Sequence, residues 1–252
     1  MVPKFRRAVP VLLLAIIFTA IAHAGTIYVG DAFGQLWSVN VHSGESNLVC
    51  NMSATMTDLA MLSPTRLLGV DYGVLYDIDI SSGKVEPITS LHGSVNALAA
   101  GPDGRVYYTG LGGQLYAADP ANGSSTWIAG FGVSAAGDLE FDDSGNLYMA
   151  SVNADLLVLR AGTSQVAKVG KTGFYDIYGL AYENGVLYGT TLSGKLLSID
   201  RNNGSAFVLA STGIPANGAA AYVPAAVPEP GTIILTGLGL GSLLTRRLTH
   251  RR

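Results

Sequence analysis

The sequence predicts an all-β fold made of five units of about forty residues closed into a ring. Three observations predict it. One pattern returns five times in register, each return reads as four short strands parted by turn residues, and the last apolar segment supplies the strand that the first unit lacks. The repeated segments are TIYVGDAFGQLWSVNVHSGE, RLLGVDYGVLYDIDISSGK, RVYYTGLGGQLYAADPANGS, NLYMASVNADLLVLRAGTS and VLYGTTLSGKLLSIDRNNGS. Tyr28, Leu68, Tyr107, Tyr148 and Tyr188 mark one position, at steps of 40, 39, 41 and 40. Leu36, Leu75, Leu115, Leu156 and Leu196 mark a second, at steps of 39, 40, 41 and 40. Two markers that keep one register exclude coincidence.

Within a unit, the turns carry their own chemistry. Asn40 and Gly44, Asp79 and Gly83, Asp119 and Gly123, and Asp200 and Gly204 set an Asx side chain four residues before a glycine. The first hydrogen-bonds nearby backbone and the second supplies positive φ. The fourth unit has Arg160 and Gly162 instead and lacks the device. Runs such as KLLSI and DLLVL are apolar at successive positions, as strands covered on both faces require.

A four-strand period of this length is the signature of a propeller blade, so the body resembles the general propeller-repeat pattern over roughly Thr26 to Val223. The phase of the repeat adds its topology. Inner strands are expected at MTDLAML, VNALAAG, GDLEFD, YGLAYE and GAAAYV, so the chain opens on the second strand of a blade and ends on a first one. Ala219 to Val223 is therefore expected to close a five-bladed β-propeller and remove its free edge.

Both ends of the chain carry address signals. Lys4, Arg6 and Arg7 precede the apolar run VLLLAIIFTAIA, which closes on Ala22-His23-Ala24, so residues 1–24 read as a cleaved signal peptide. At the other end Val227-Pro228-Glu229-Pro230-Gly231 is followed by the uncharged TIILTGLGLGSLLT and by Arg246-Arg247. This order resembles the PEP-CTERM sorting tail. The resemblance implies an exosortase-type processing protease that cuts near Pro228 to Pro230, and a cell-surface or extracellular destination beside exopolysaccharide or another envelope component. An apolar stop followed by arginines places the basic end in the cytoplasm and the body outside. Residues 231–245 reach about 22 Å as a helix against a hydrocarbon core of ~30 Å, which suits transient membrane association before processing. The expected organisation is thus a signal peptide over 1–24, a propeller over 25–223 and a sorting tail with a C-terminal apolar helix over 224–252.

Charge narrows the partners. Of the 15 basic residues three precede Gly25 and four follow Pro230, which leaves 8 against 18 acidic ones and a body near −10. No basic stripe is available to follow a phosphate backbone, so no nucleic-acid partner is expected. Cys50 is the single cysteine and has no disulfide partner in the chain.

Inner strands line the axis, so equivalent residues on them are the first candidates for a site. The repeat aligns Asp58, Ala97, Asp138, Gly179 and Ala219, preceded by Thr57, Asn96, Gly137, Tyr178 and Gly218. Asp58, Asn96 and Asp138 are the candidate metal ligands, with Asp176 and Asn217 nearby and Glu140 on the same side as Asp138. Oxygen donors of this kind suit Ca²⁺; the plainer reading is a set of solvated carboxylates at the channel mouth. Asp142-Asp143-Ser144-Gly145-Asn146 reads as a turn. With His42 and His92 in different units and no Ser or Cys motif, no nucleophilic triad is encoded and no catalytic residue or cofactor is expected. The expectation is an exported, non-catalytic binding or structural propeller. The alternative is a secreted, lactonase-like metal-dependent hydrolase that uses the Asp58, Asn96 and Asp138 region.

Overall fold

The computed structural model describes residues 25–222, all of them strands, turns and loops that form five four-stranded antiparallel sheets. The signal segment 1–24, the end of the expected propeller at Val223 and the tail 224–252 with its apolar stretch 231–245 lie outside the described residues. Among the described residues no helix is long and apolar enough to cross a membrane.

The blades follow the repeat. Blade one holds β1 (Thr26–Asp31), β2 (Gln35–Asn40) and β3 (Ser46–Asn51); blade two holds β4 (Asp58–Ser63), β5 (Arg66–Asp71), β6 (Val74–Ile78) and β7 (Val85–Ser90). Blade three comprises β8 (Val95–Ala100), β9 (Val106–Gly110), β10 (Gln114–Ala118) and β11 (Ser125–Gly130). Blade four comprises β12 (Ala135–Phe141), β13 (Leu147–Ser151), β14 (Asp155–Leu159) and β15 (Val166–Lys171). Blade five has β16 (Ile177–Glu183), β17 (Val186–Thr191), β18 (Lys195–Ile199) and β19 (Ala206–Ser211). The final strand, β20 (Ala216–Ala220), returns to blade one and gives the order β20-β1-β2-β3. The expected closure is present, made by Ala216–Ala220 rather than by Ala219 to Val223, with Tyr28 opposite Ala220 and Val29 opposite Ala219.

The predicted turn device is also present. The N–H groups of Gly44, Gly83, Gly123 and Gly204 each donate to the carbonyl of the Asx residue four positions earlier at 2.8 Å. Gly83 has φ 73°, a conformation most side chains resist. In the fourth unit Thr163 donates to the Arg160 carbonyl at 3.2 Å, a tighter turn that replaces the missing Asx residue.

Five apolar clusters lie between blades, one at each junction, and together they are the core. Leu68, Val70 and Leu75 of blade two meet Leu98, Val106 and Tyr108 of blade three. Ile27, Val29 and Val39 of blade one meet Ala181, Tyr188 and Leu196 of blade five, so the first and last junctions are as dry as the rest. This burial on both faces explains the unbroken apolar runs of the middle strands.

One expected alignment is corrected. The run of small residues Gly218 to Ala221 carries no marker of its own register, and the last strand pairs one residue away from the expected alignment, with Gly30 facing Gly218. The structural equivalents of Asp58 are therefore Ala97, Asp138, Gly179 and Gly218, and Asn217 rather than Gly218 takes the preceding position.

A plugged axis as the candidate functional site

The inner strands β4, β8, β12, β16 and β20 surround the axis, and each has one edge with no neighbouring strand to pair it. Their edge N–H groups must find other acceptors or lose a hydrogen bond. Two aspartates supply them. The Leu59 N–H donates to Asp58 Oδ1 at 2.7 Å and the Leu98 N–H to Asp58 Oδ2 at 2.6 Å. The Leu139 N–H donates to Asp138 Oδ1, while those of Leu180 and Ala219 donate to Asp138 Oδ2, the latter at 3.3 Å. These five residues occupy equivalent positions, one on each blade. Each carboxyl sits on one blade and reaches across to bond its neighbours.

The room for this comes from the other three equivalents, which are Ala97, Gly179 and Gly218. A β-carbon on Gly218 would stand 2.5 Å from Asp58 Oδ1 and 2.6 Å from its Cα, so no larger residue fits there. Asp58 and Asp138 are fully buried. Burial pushes both well above the usual carboxylate range; for Asp58 the neighbouring Asp138 charge adds to the rise, and the N–H donors oppose it. The two groups titrate as a pair.

Glu140 repeats the device one layer on. Four of its equivalents are alanines: Ala60, Ala99, Ala181 and Ala220. Its Oε1 accepts the Phe141 N–H at 2.9 Å. Burial first, then the Asp138 charge, raises it well above its ordinary value. Beside it a cavity of about 70 Å³ is bordered by Met61, Pro102, Phe141, Asp142 and Tyr222, room for roughly two waters.

The structure thus brings Asp58 and Asp138 together across 80 residues and leaves Asn96 apart. The Asn96 amide donates to the carbonyls of Ala135 and Ala136 at 3.3 and 3.4 Å, and its Oδ1 is buried without a partner. Asn217 donates to the Met56 carbonyl and Asp176 accepts from Ser193 N–H in a loop. The two aspartates are not the solvated carboxylates of a channel mouth: both are buried, and the groups against their oxygens are backbone N–H donors. Among the described residues no three His, Cys, Asp or Glu side chains converge as a metal cage. What the sequence hid was the backbone half of the arrangement, because an unpaired strand edge has no residue signature.

The Asp142 segment is a turn, as expected, and it also joins two blades. Asp142 Oδ1 accepts the N–H groups of Ser144 and Asn146, and Oδ2 takes Arg201 Nη1 at 2.7 Å. Arg201 lies over the Tyr182 ring at 4.9 Å and donates to the Gly185 carbonyl. A wider hollow of about 480 Å³ opens there between blades four and five, lined by Ser144, Asn146, Arg160, Arg201 and Asn202.

Fold and axis together define a five-bladed β-propeller whose centre is sealed by carboxyls bonded to the strand edges. Within that class, the chain belongs to the family described as outer membrane protein assembly factor BamB, which matches residues 13–207. No curated protein matches the sequence. Among solved structures, one concerned with the de novo evolutionary emergence of a symmetrical protein is 14% identical, with a TM-score of 0.51 over 77% of this chain and 92% of that one. A structural-genomics protein of unknown function from Bacteroides thetaiotaomicron is also 14% identical, with a TM-score of 0.53 over 74% of this chain and 55% of that one. At such identities the likeness is one of fold.

Proposed function

We propose that this protein is an exported, non-catalytic binding or structural propeller of the cell envelope, delivered and trimmed through its C-terminal tail. The observation that carries the non-catalytic reading is the burial of Asp58 and Asp138 and their engagement by five backbone donors. A lactonase-like hydrolase would need those carboxylates free to hold a metal, and here they hold the ring together. Binding then falls to the two faces and to the hollow between blades four and five. The family's description as an outer membrane assembly factor supports an envelope role. The order Val227-Pro228-Glu229-Pro230, apolar run, Arg246-Arg247 supports sorting by an exosortase-type protease, with exopolysaccharide or another envelope component as the setting.

Two measurements test this. Millimolar Ca²⁺ or Mn²⁺ is expected to leave the melting temperature of the protein unchanged, since a ligand that bound only the folded state would raise it. A rise that disappears in Asp138→Asn would instead install the hydrolase reading. Intact mass of the surface form is expected to end near Pro230, and recovery of mainly full-length chains from an exosortase-competent host would refute the sorting route.

A further inference from the structure

The two faces of the ring are made from the same five repeats yet differ in kind. On the upper face, where the inner strands begin, each blade has a tight loop between its second and third strands. Every one of these loops carries a large apolar residue exposed to solvent: Phe33 at 77%, Tyr72 at 75%, Leu111 at 77%, Val152 at 47% and Leu192 at 41%. Tyr175, 71% exposed, adds to them from the loop beside Leu192, where the Leu192 N–H donates to the Asp176 carbonyl. Tight loops ordinarily hold Gly, Asn, Asp or Ser, and exposed apolar side chains gain nothing there. Tyr72 even adopts φ 44°, a region that aromatic residues avoid. The lower-face turns keep the usual chemistry, with Ser81-Ser82-Gly83, Ala121-Asn122-Gly123 and Asn202-Asn203-Gly204.

We propose that the upper face is a self-association surface, on which a second copy of this chain docks face to face about a two-fold axis. The five loops hold equivalent places around the ring, so their tips share one face, which can meet its own copy under such an axis. The six side chains expose roughly 700 Å² of largely apolar surface, close to the ~800 Å² each partner contributes to a stable interface. The path of the chain leaves this face clear. Gly25 precedes the lower end of β1, and Tyr222 borders the lower cavity beside Glu140, so both ends of the described chain depart from the opposite side. Near the upper face Lys168 and Lys171 hold Asp155 at 2.7 and 3.0 Å, and Asp31 accepts the N–H groups of Phe33 and Gln35 and the Trp37 ring N–H. A bilayer is the less favoured occupant, because a body near −10 is repelled by anionic lipid.

Light scattering after size-exclusion chromatography of the exported protein at tens of micromolar is the test. Twice the monomer mass is expected, with dissociation on dilution. The combined variant Phe33→Ser, Tyr72→Asn, Leu111→Ser should weaken self-association by more than tenfold while melting no lower than the parent, since asparagine suits the left-handed position. Phe207→Ser with Leu209→Ser, exposed on β19 but away from these loops, should leave the dimer intact. A parent that is monomeric at every concentration, or a triple variant that remains dimeric, overturns the proposal. A monomeric parent that sediments with phosphatidylglycerol vesicles would assign the face to a membrane instead.

Discussion

Aspartate does two opposite jobs in this molecule. At the blade turns it stands in water: Asp79 accepts the Ser81 N–H at 2.9 Å and the hydroxyls of Ser81 and Ser82 at 2.7 and 2.8 Å. Those donors hold its pKa down to about 2. On the axis Asp58 and Asp138 also accept short hydrogen bonds, from five backbone donors between them, yet their pKa values move up. The donors are comparable and the solvent is not. Burial penalises negative charge there more than five N–H dipoles repay, so the axial pair holds protons to higher pH than the turn aspartates do.

The largest way to break this comparison is to remove an axial carboxyl. Asp138→Ala strands the N–H groups of Leu139, Leu180 and Ala219 and leaves a void, for an expected loss of about 3–5 kcal/mol. The melting temperature should fall by roughly 10 °C or more. Calorimetry checks this, and a fall of only a degree or two would show that water replaces the carboxyl at no cost.

The pH dependence sharpens the contrast, because the two kinds of aspartate have opposite slopes. For the axial pair and Glu140 the folded state binds protons that the unfolded chain releases above about pH 4. Their stabilising contribution is therefore complete below that pH and declines as pH rises through the folded values. For Asp79 the sign reverses: its contribution is present above pH ~4 and is lost as pH falls toward 2. Urea unfolding from pH 2 to 9 should show a decline on both sides, and Asp58→Asn, which removes one of the two coupled carboxyls, should flatten the high-pH side. An unchanged high-pH slope in that variant would place the titration elsewhere.

The smallest expected effect is that of Asp79→Ala. It exchanges an exposed turn acceptor for none while water serves the freed donors, so its melting temperature should move by less than about 2 °C. A shift as large as that of Asp138→Ala would erase the distinction between the two environments.

What could be read in advance follows the same division. The blades and their closure were legible because their signals are local: the tyrosine and leucine markers, and an Asx four residues before a glycine. The meeting of Asp58 with Asp138 was legible because a ring converts repeat register into proximity. Their role was not, since it depends on strand-edge N–H groups that every residue type carries, and on Gly218, whose place in the repeat the small-residue run Gly218 to Ala221 does not mark. The apolar loop tips were written plainly enough in Phe33, Tyr72, Leu111, Val152 and Leu192. Their meaning emerges only once five loops distant in the chain share a face.

Ring closure by β20 also sets a timetable. β1 is among the first strands to leave the ribosome, and its partner follows about 190 residues later. At ~5–20 residues per second that interval is roughly 10–40 s. Throughout it the first blade has three strands, an open edge and no neighbour on one side. The first blade can therefore be completed only once the last strand is available, and until then whatever guards the emerging chain must also guard that edge.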